Sequence, residues 1–294
     1  MIITRKGNGL QALPRDRRDF VLGAAFGNID ITTLPEEYEL PTRKIKDQED
    51  TDMCTAYGTT LMSEFQELVG LDPLFQFAKI KEVRGEYKAW GASARDAAKA
   101  GLKGFLEELD APYTLKSRTR NEIANWDAWD SKYDEMAIEH RKKAYFFIKE
   151  FGYEDIFDAI RAAMWQFRAK KRAIGVGLVW RPTWDNSMRG IIPRKKAIGG
   201  GGHFVVVVGW KQISGNTYLK IQNSWGKDAG EDGYYYMNRI VANREITYGA
   251  FMFEDLPKGV SKEDMKHNNR DYLKKHWWER FKLAIKNYFK YIFI

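Results

Sequence analysis

The chain has 294 residues, 44% of them hydrophobic and 14% aromatic, enough for a sizeable core in one large domain or in two lobes sharing a cleft. Its net charge of +8 is read as a solubility feature, and its single cysteine excludes an internal disulfide and favours a reducing compartment or a bacterial or viral source. No long apolar core opens the chain and no apolar run is long enough to span a bilayer, so neither a secretory signal nor a transmembrane segment is expected.

Residues 1–50 look irregular, with Pro14, Pro35 and Pro41 as helix breakers. The apolar run Phe20-Val21-Leu22-Gly23-Ala24-Ala25-Phe26 can pack on a core, and Leu40 before Pro41 is extended. The acidic run Asp47-Gln48-Glu49-Asp50-Thr51-Asp52 precedes Cys54. Thr51 or Asp52 can cap a helix whose apolar positions are Tyr57, Leu61, Phe65 and Leu68, ending near Gly70. Cys54 then sits at a helix N-terminus, where unpaired N–H groups and the dipole favour a thiolate.

Further helices are expected over residues 73–83, 93–100, 136–150 and 155–168, and a buried strand over 173–180. Beyond it, strands and glycine-rich turns run to about residue 255, and the four glycines 199–202 read as a loop before His203. The most structured stretch is a hairpin: Gly202-His203-Phe204-Val205-Val206-Val207-Val208-Gly209-Trp210, a turn through residues 209–216, then Tyr218-Leu219-Lys220-Ile221-Gln222-Asn223-Ser224-Trp225-Gly226. A histidine opens one strand and an asparagine closes the other. With one cysteine upstream, they form a candidate nucleophile, base and orienter. Helices first and strands second imply an α+β fold with two lobes.

The hairpin and the cysteine block resemble the papain family of cysteine peptidases. Gln48 lies six residues before Cys54, His203 leads into Val208-Gly209-Trp210, and Asn223-Ser224-Trp225-Gly226 is followed by Asp232-Gly233-Tyr234. The order Gln, Cys, His, Asn is also the family's. The resemblance covers residues 35–255 and implies a papain-like fold, with a helical lobe carrying Cys54 and a β-rich lobe carrying His203 and Asn223. It also implies an endopeptidase acting through an acyl-enzyme thioester on a polypeptide substrate. In that reading Cys54 is the nucleophile as a thiolate paired with an imidazolium at His203. Asn223 orients the ring, and Trp225 shields their bond. Gln48 and the Cys54 N–H form the oxyanion hole, and Gly91 lies on an edge that pairs with substrate backbone. No cofactor is implied, and no metal-ligand spacing is present.

The chain departs from the family in its acidic approach to Cys54, where like charge opposes a thiolate, and in lacking the family's disulfide cysteines, with Thr51 where one usually lies. Only 53 residues precede Cys54, so either there is no zymogen or the N-terminal segment is a short blocking arm. These absences resemble bacterial and phage relatives and suggest a cytoplasmic or virion-associated protein. The acidic approach, Thr55 where the family has a Trp after the cysteine, and the aromatic C-terminal end favour an alternative, a catalytically silent papain-like scaffold that is a structural or binding component of a larger assembly, such as a viral one. A third reading is another acyl transfer, such as amide or peptidoglycan cross-bridge cleavage. The expected organisation is an N-terminal arm at 1–34, the peptidase domain at 35–255, and a charged and aromatic extension at 256–294. In that extension Trp277, Phe281, Ile285, Tyr288 and Ile292 can line one helical face, which folds back or docks on a protein partner or a membrane surface. Nucleic acid is not expected as a partner.

Overall fold

The computed structural model describes residues 9–12, 16, 19–26, 30–148 and 155–254. The C-terminal helical face expected over 276–294 lies outside them. In chain order the elements are β1 (Leu10–Gln11), α1 (Leu22–Phe26), β2 (Tyr38–Glu39), α2 (Cys54–Glu67), α3 (Pro73–Arg84), β3 (Ala92–Ser93), α4 (Ala94–Ala100), α5 (Arg120–Ala124) and α6 (Lys132–Ala137). There follow β4 (Ala144–Phe147), α7 (Ile156–Gln166), β5 (Ile174–Trp180), β6 (Gly201–Ile213), β7 (Asn216–Gln222), β8 (Tyr234–Asn238), α8 (Arg239–Glu245) and β9 (Ala250–Glu254). Strands β4 to β9 make one antiparallel sheet in the order β4-β9-β5-β6-β7-β8, with β2 added on β6. Helices α2 to α6 form the other lobe, so the α+β two-lobe architecture stands.

Helix α2 joins the lobes. It is not a one-sided amphipathic helix: every residue from Cys54 to Phe65 is buried. Cys54, Leu61, Met62 and Phe65 enter the core of the sheet, while Ala56 and Tyr57 enter that of the helical lobe with Phe75, Phe77 and Trp129. Two of its buried hydroxyls bond within the helix: Thr59 Oγ1 donates to the Thr55 carbonyl (2.8 Å) and Thr60 Oγ1 to the Ala56 carbonyl (3.0 Å). Its buried carboxylate, Glu64, accepts from Lys46 Nζ (2.6 Å) and the Leu71 N–H (2.9 Å), which ties the chain approaching Gln48 to the helix. Leu68, placed by spacing on the apolar stripe, is exposed and ends the helix in a left-handed conformation.

Other expectations also change. Neither Thr51 nor Asp52 caps α2: the cap is Met53, without a side-chain bond, because Thr51 Oγ1 donates to the Gln48 carbonyl (2.6 Å) and Asp52 turns to Arg120. The helix placed over 136–150 ends at Ala137, and Ala144–Phe147 is a strand. Pairing with β9 decides this: Tyr145 stands opposite Phe253 and Phe147 opposite Phe251, and aromatic residues favour a pleated, half-buried surface. The hairpin turn is confined to Ser214 and Gly215. Residues 209–212 continue β6 past a register shift after Val207, and Gly201 and Gly202 already belong to the strand. Strand β7 ends at Gln222, so residues 223–226 form a loop.

The closeness of α2 to β6 gives a test. A Cβ on Gly58 would stand 2.4 Å from Phe204 Cδ1, and that ring is held against Phe251 at 5.6 Å. In an exposed helix Gly→Ala stabilises by about 1 kcal/mol. Here Gly58→Ala is expected to destabilise by about 1–3 kcal/mol through overpacking, read from the urea midpoint. A gain in stability would contradict the packing.

Candidate active site

Cys54 opens α2 and is fully buried. The backbone N–H groups of Gly9, Phe204 and Thr55 face its sulfur. Two of these come from beyond the helix: Phe204 follows His203 in β6, and Gly9 belongs to the N-terminal arm. Burial pushes the thiol up to about 11; those N–H groups favour the thiolate, while the charge of Asp52 opposes it.

His203 is also fully buried, and its Nε2 lies 2.8 Å from Asn223 Oδ1. The same Oδ1 accepts the Ser224 N–H at 2.8 Å, which marks it as the acceptor end of the amide. Nε2 therefore carries the proton, and Nδ1 keeps its lone pair; no hydrogen-bond partner among the described residues reaches Nδ1. Trp225 stacks on the imidazole (4.4 Å between centroids, 22°), and Trp180 meets it edge-on at 5.4 Å. Trp180 also packs on Trp184, Trp225 and Tyr235 and is fixed by an Nε1–H bond to Asp185 Oδ1 (2.7 Å). This aromatic wall removes water from the ring, and burial pushes the His203 pKa down to about 4 against the opposing effect of Asn223.

Gln48 reaches the same centre through backbone pairing. Its N–H donates to the Ser224 carbonyl (2.8 Å) and the Gly226 N–H to the Lys46 carbonyl (3.1 Å). Ser224 Oγ donates to Gln48 Oε1 (2.6 Å), which marks the acceptor end of the amide, and the NH2 at the other end donates to the Thr51 carbonyl at 2.8 Å. The acidic run divides: Asp47, Glu49 and Asp50 are exposed, whereas Asp52 is buried and paired with Arg120. Burial works against the Asp52 charge, yet hydrogen bonds from Arg120 and Gly91, with the charges of Arg120 and Lys81, hold its carboxyl below the usual range.

The cleft between the lobes is filled by the N-terminal arm. Strand β1 pairs in parallel with β3, and the Ala92 N–H donates to the Gly9 carbonyl (2.9 Å). Gly91 has φ +67°, and a Cβ there would fall 1.8 Å from that carbonyl, so only glycine lets the arm approach. The Leu10 side chain lies against Gly177 and its carbonyl against Gly202. Arg84 Nη1 donates to Gln11 Oε1 (2.6 Å). The arm thus touches both lobes and covers the sulfur.

The chain matches the family described as papain family cysteine protease over residues 34–252. The chain belongs to that family. A cathepsin B-like cysteine proteinase 3 of Ostertagia ostertagi is 46% identical over 46 residues, 16% of this chain and 26% of that protein. The P34 probable thiol protease of Glycine max is 36% identical over 63 residues, 21% of this chain and 17% of that protein. The matched stretches thus span about a quarter or less of these relatives. Among solved structures, xylellain, a cysteine protease from Xylella fastidiosa, superposes with a TM-score of 0.69 at 23% identity, covering 86% of this chain and 98% of that one. The digestive procathepsin L 3 of Tenebrio molitor gives 0.61 at 17% identity, over 85% and 76%. These likenesses establish the fold.

Gln48 is joined to the loop of Asn223 through Ser224, His203 to Asn223 and Trp225, and Cys54 lies beside the backbone of Phe204. Among the described residues no hydrogen bond links the Cys54 sulfur to His203 Nδ1, and Gly91 is bonded to Asp52 on the Cys54 side. Sequence reasoning missed Trp180, Ser224 as the partner of Gln48, and the arm's seat over the thiol. Only the apolar end of the strand at 173–180 hinted at the first. The buried imidazole has a consequence for stability. Its folded pKa lies below the unfolded value of 6.5, so between them only the unfolded chain gains a proton as pH falls. Stability is therefore lost on acidification, by about 3 kcal/mol at pH 4. The parent is expected to lose that much more than His203→Gln between pH 7 and 4 in urea titrations. Equal losses would contradict a neutral buried imidazole.

Proposed function

We propose that the protein is a cysteine endopeptidase that cleaves polypeptides through a thioester on Cys54, with His203 as acid–base and Asn223 as its orienting partner. The observation that carries this reading is the His203 tautomer. Asn223 Oδ1 holds the proton on Nε2, which leaves the Nδ1 lone pair free to take the thiol proton. The thiolate then adds to the scissile carbonyl. The carbon–nitrogen bond breaks, and the imidazolium returns its proton to the leaving amine. Water, deprotonated by the same ring, releases the acid and restores the thiol. Gln48 Nε2 and the Cys54 N–H are the donors for the oxyanion, the first turning from the Thr51 carbonyl to do so.

The silent-scaffold reading loses its main support: three of the four acids near Cys54 face solvent, where charges are screened, and the fourth is paired with cations. In place of charge, the arm is what holds the site back. Residues 9–12 take the edge where a substrate backbone would pair, and they keep water from the thiol and the imidazole. The arm acts as a strap that must leave before a polypeptide enters.

Hydrolysis of labelled casein and of blocked peptide amides tests the reading. Cys54→Ala is expected to abolish turnover with the fold intact, and Gln48→Ala to lower kcat by about 10²–10³-fold. Unchanged hydrolysis in Cys54→Ala would refute the assignment. Leu10→Asp puts a charge into the apolar seat of the strap and is expected to raise kcat/KM by about tenfold or more by enlarging the open population. A rate no higher than the parent's would remove the strap.

A further inference from the structure

Behind the nucleophile lies a buried charge cluster that the proposed chemistry does not use. Asp52, two residues before Cys54, has a fully buried side chain. It accepts two guanidinium bonds from Arg120 (Nε to Oδ1 2.9 Å, Nη2 to Oδ2 2.6 Å), and Lys81 Nζ, equally buried, stands 3.7 Å from Oδ2. Oδ2 also accepts the backbone N–H of Gly91. Both cations reach past the carboxylate to the same segment. Arg120 donates to the carbonyls of Tyr87 and Ala89 (2.7 Å to the latter), and Lys81 to those of Ala89 (2.6 Å) and Gly91. The Phe77 ring faces both cations, 4.9 Å from Lys81 Nζ and 5.2 Å from Arg120 Cζ.

Residues 86–91 have no helix or strand of their own. Their carbonyls of Tyr87, Ala89 and Gly91 point to cations and the N–H of Gly91 to an anion, so side-chain charge sets this backbone. Among the described residues the cluster is also the direct link between the chain entering Cys54 and the segment that leads into β3. With one cysteine, no disulfide can make that link.

We propose that Asp52 is a positioning residue for the peptidase, tying the nucleophile's chain to the edge at Gly91 and Ala92 with which a substrate backbone pairs, and that Arg120 and Lys81 complete the tie. The carboxylate fixes the Gly91 N–H from the Cys54 side, while the two cations pull the flanking carbonyls the same way. The Gly91 carbonyl and N–H are both spent on the cluster, which leaves the Ala92 N–H, the donor that meets the Gly9 carbonyl, held in place on that edge. This rests on the peptidase reading for the identity of the edge's ligand, but the tie itself can be read without any turnover.

Asp52→Asn keeps the shape and removes the charge; Arg120→Gln removes the same bonds from the partly exposed end and guards against misfolding of the first variant. Hydrogen exchange of the full chain, followed by mass spectrometry, is expected to be about tenfold or more faster across residues 87–93 in both variants, with residues 54–67 unchanged. With a blocked peptide amide, KM is expected to rise by about tenfold with kcat within about threefold, the signature of lost binding rather than lost chemistry. Unaltered exchange at 87–93, an equal rise over the whole chain, or a fall in kcat at constant KM would overturn the proposal. If the parent hydrolyses no peptide while exchange behaves as stated, the tie stands and the peptidase reading falls.

Discussion

The packing of α2 on the start of β6 is the contact on which the rest depends. Gly58 lets the helix sit directly on the Phe204 ring, and this brings the first residue of α2 beside the backbone that follows His203. A cysteine and a histidine far apart in the chain thereby share one water-free corner. Each neighbouring block is then added by backbone pairing. Gln48 is held by the loop that carries Ser224, and that loop is held by the strand ending beside Asn223. The two lobes are thus two cores joined by one helix that is buried on every side.

The same burial bears on the proposed strap. A thiol pushed up and an imidazole pushed down are both neutral at physiological pH, and desolvation is the dominant cause in each. The Asn223 bond and the backbone donors at the sulfur already oppose that penalty. Admitting solvent lifts that penalty and moves both groups toward their charged forms. In this account the strap controls the site through water as much as through steric block. Orientation and tautomer are built into the fold, and charge separation waits for opening.

Much of this was legible in the chain because the site motifs are short and rigidly spaced. The Asn223-Ser224-Trp225-Gly226 block and the apolar run after His203 place the β-rich lobe, and the cysteine at a helix start places the other. What stayed hidden was settled by partners distant in sequence. Ala144–Phe147 has no clear alternation by itself and becomes a strand only because β9 offers facing aromatics. Helix α8 was lost among strands because its seven residues are too few to show a period. Asp52 looked like one more acid opposing the thiolate; its true partners, Arg120 and Lys81, lie in other helices, and local spacing cannot announce them. The seat of Leu10 was equally unreadable, since nothing in the arm's composition names the groove that receives it.

The most direct measurement is the rate of Cys54 alkylation by iodoacetamide as a function of pH, on the intact chain, on Leu10→Asp and on the urea-denatured chain; the single cysteine makes the mass readout unambiguous. The intact chain is expected to react more slowly than the denatured one at every pH. Leu10→Asp is expected to react fastest near pH 6, with that acidic limb lost when His203→Ala is added. A Leu10→Asp protein whose cysteine ionises as in the denatured chain, near pH 8.5, would show that no thiolate–imidazolium pair forms on opening and would contradict the central claim.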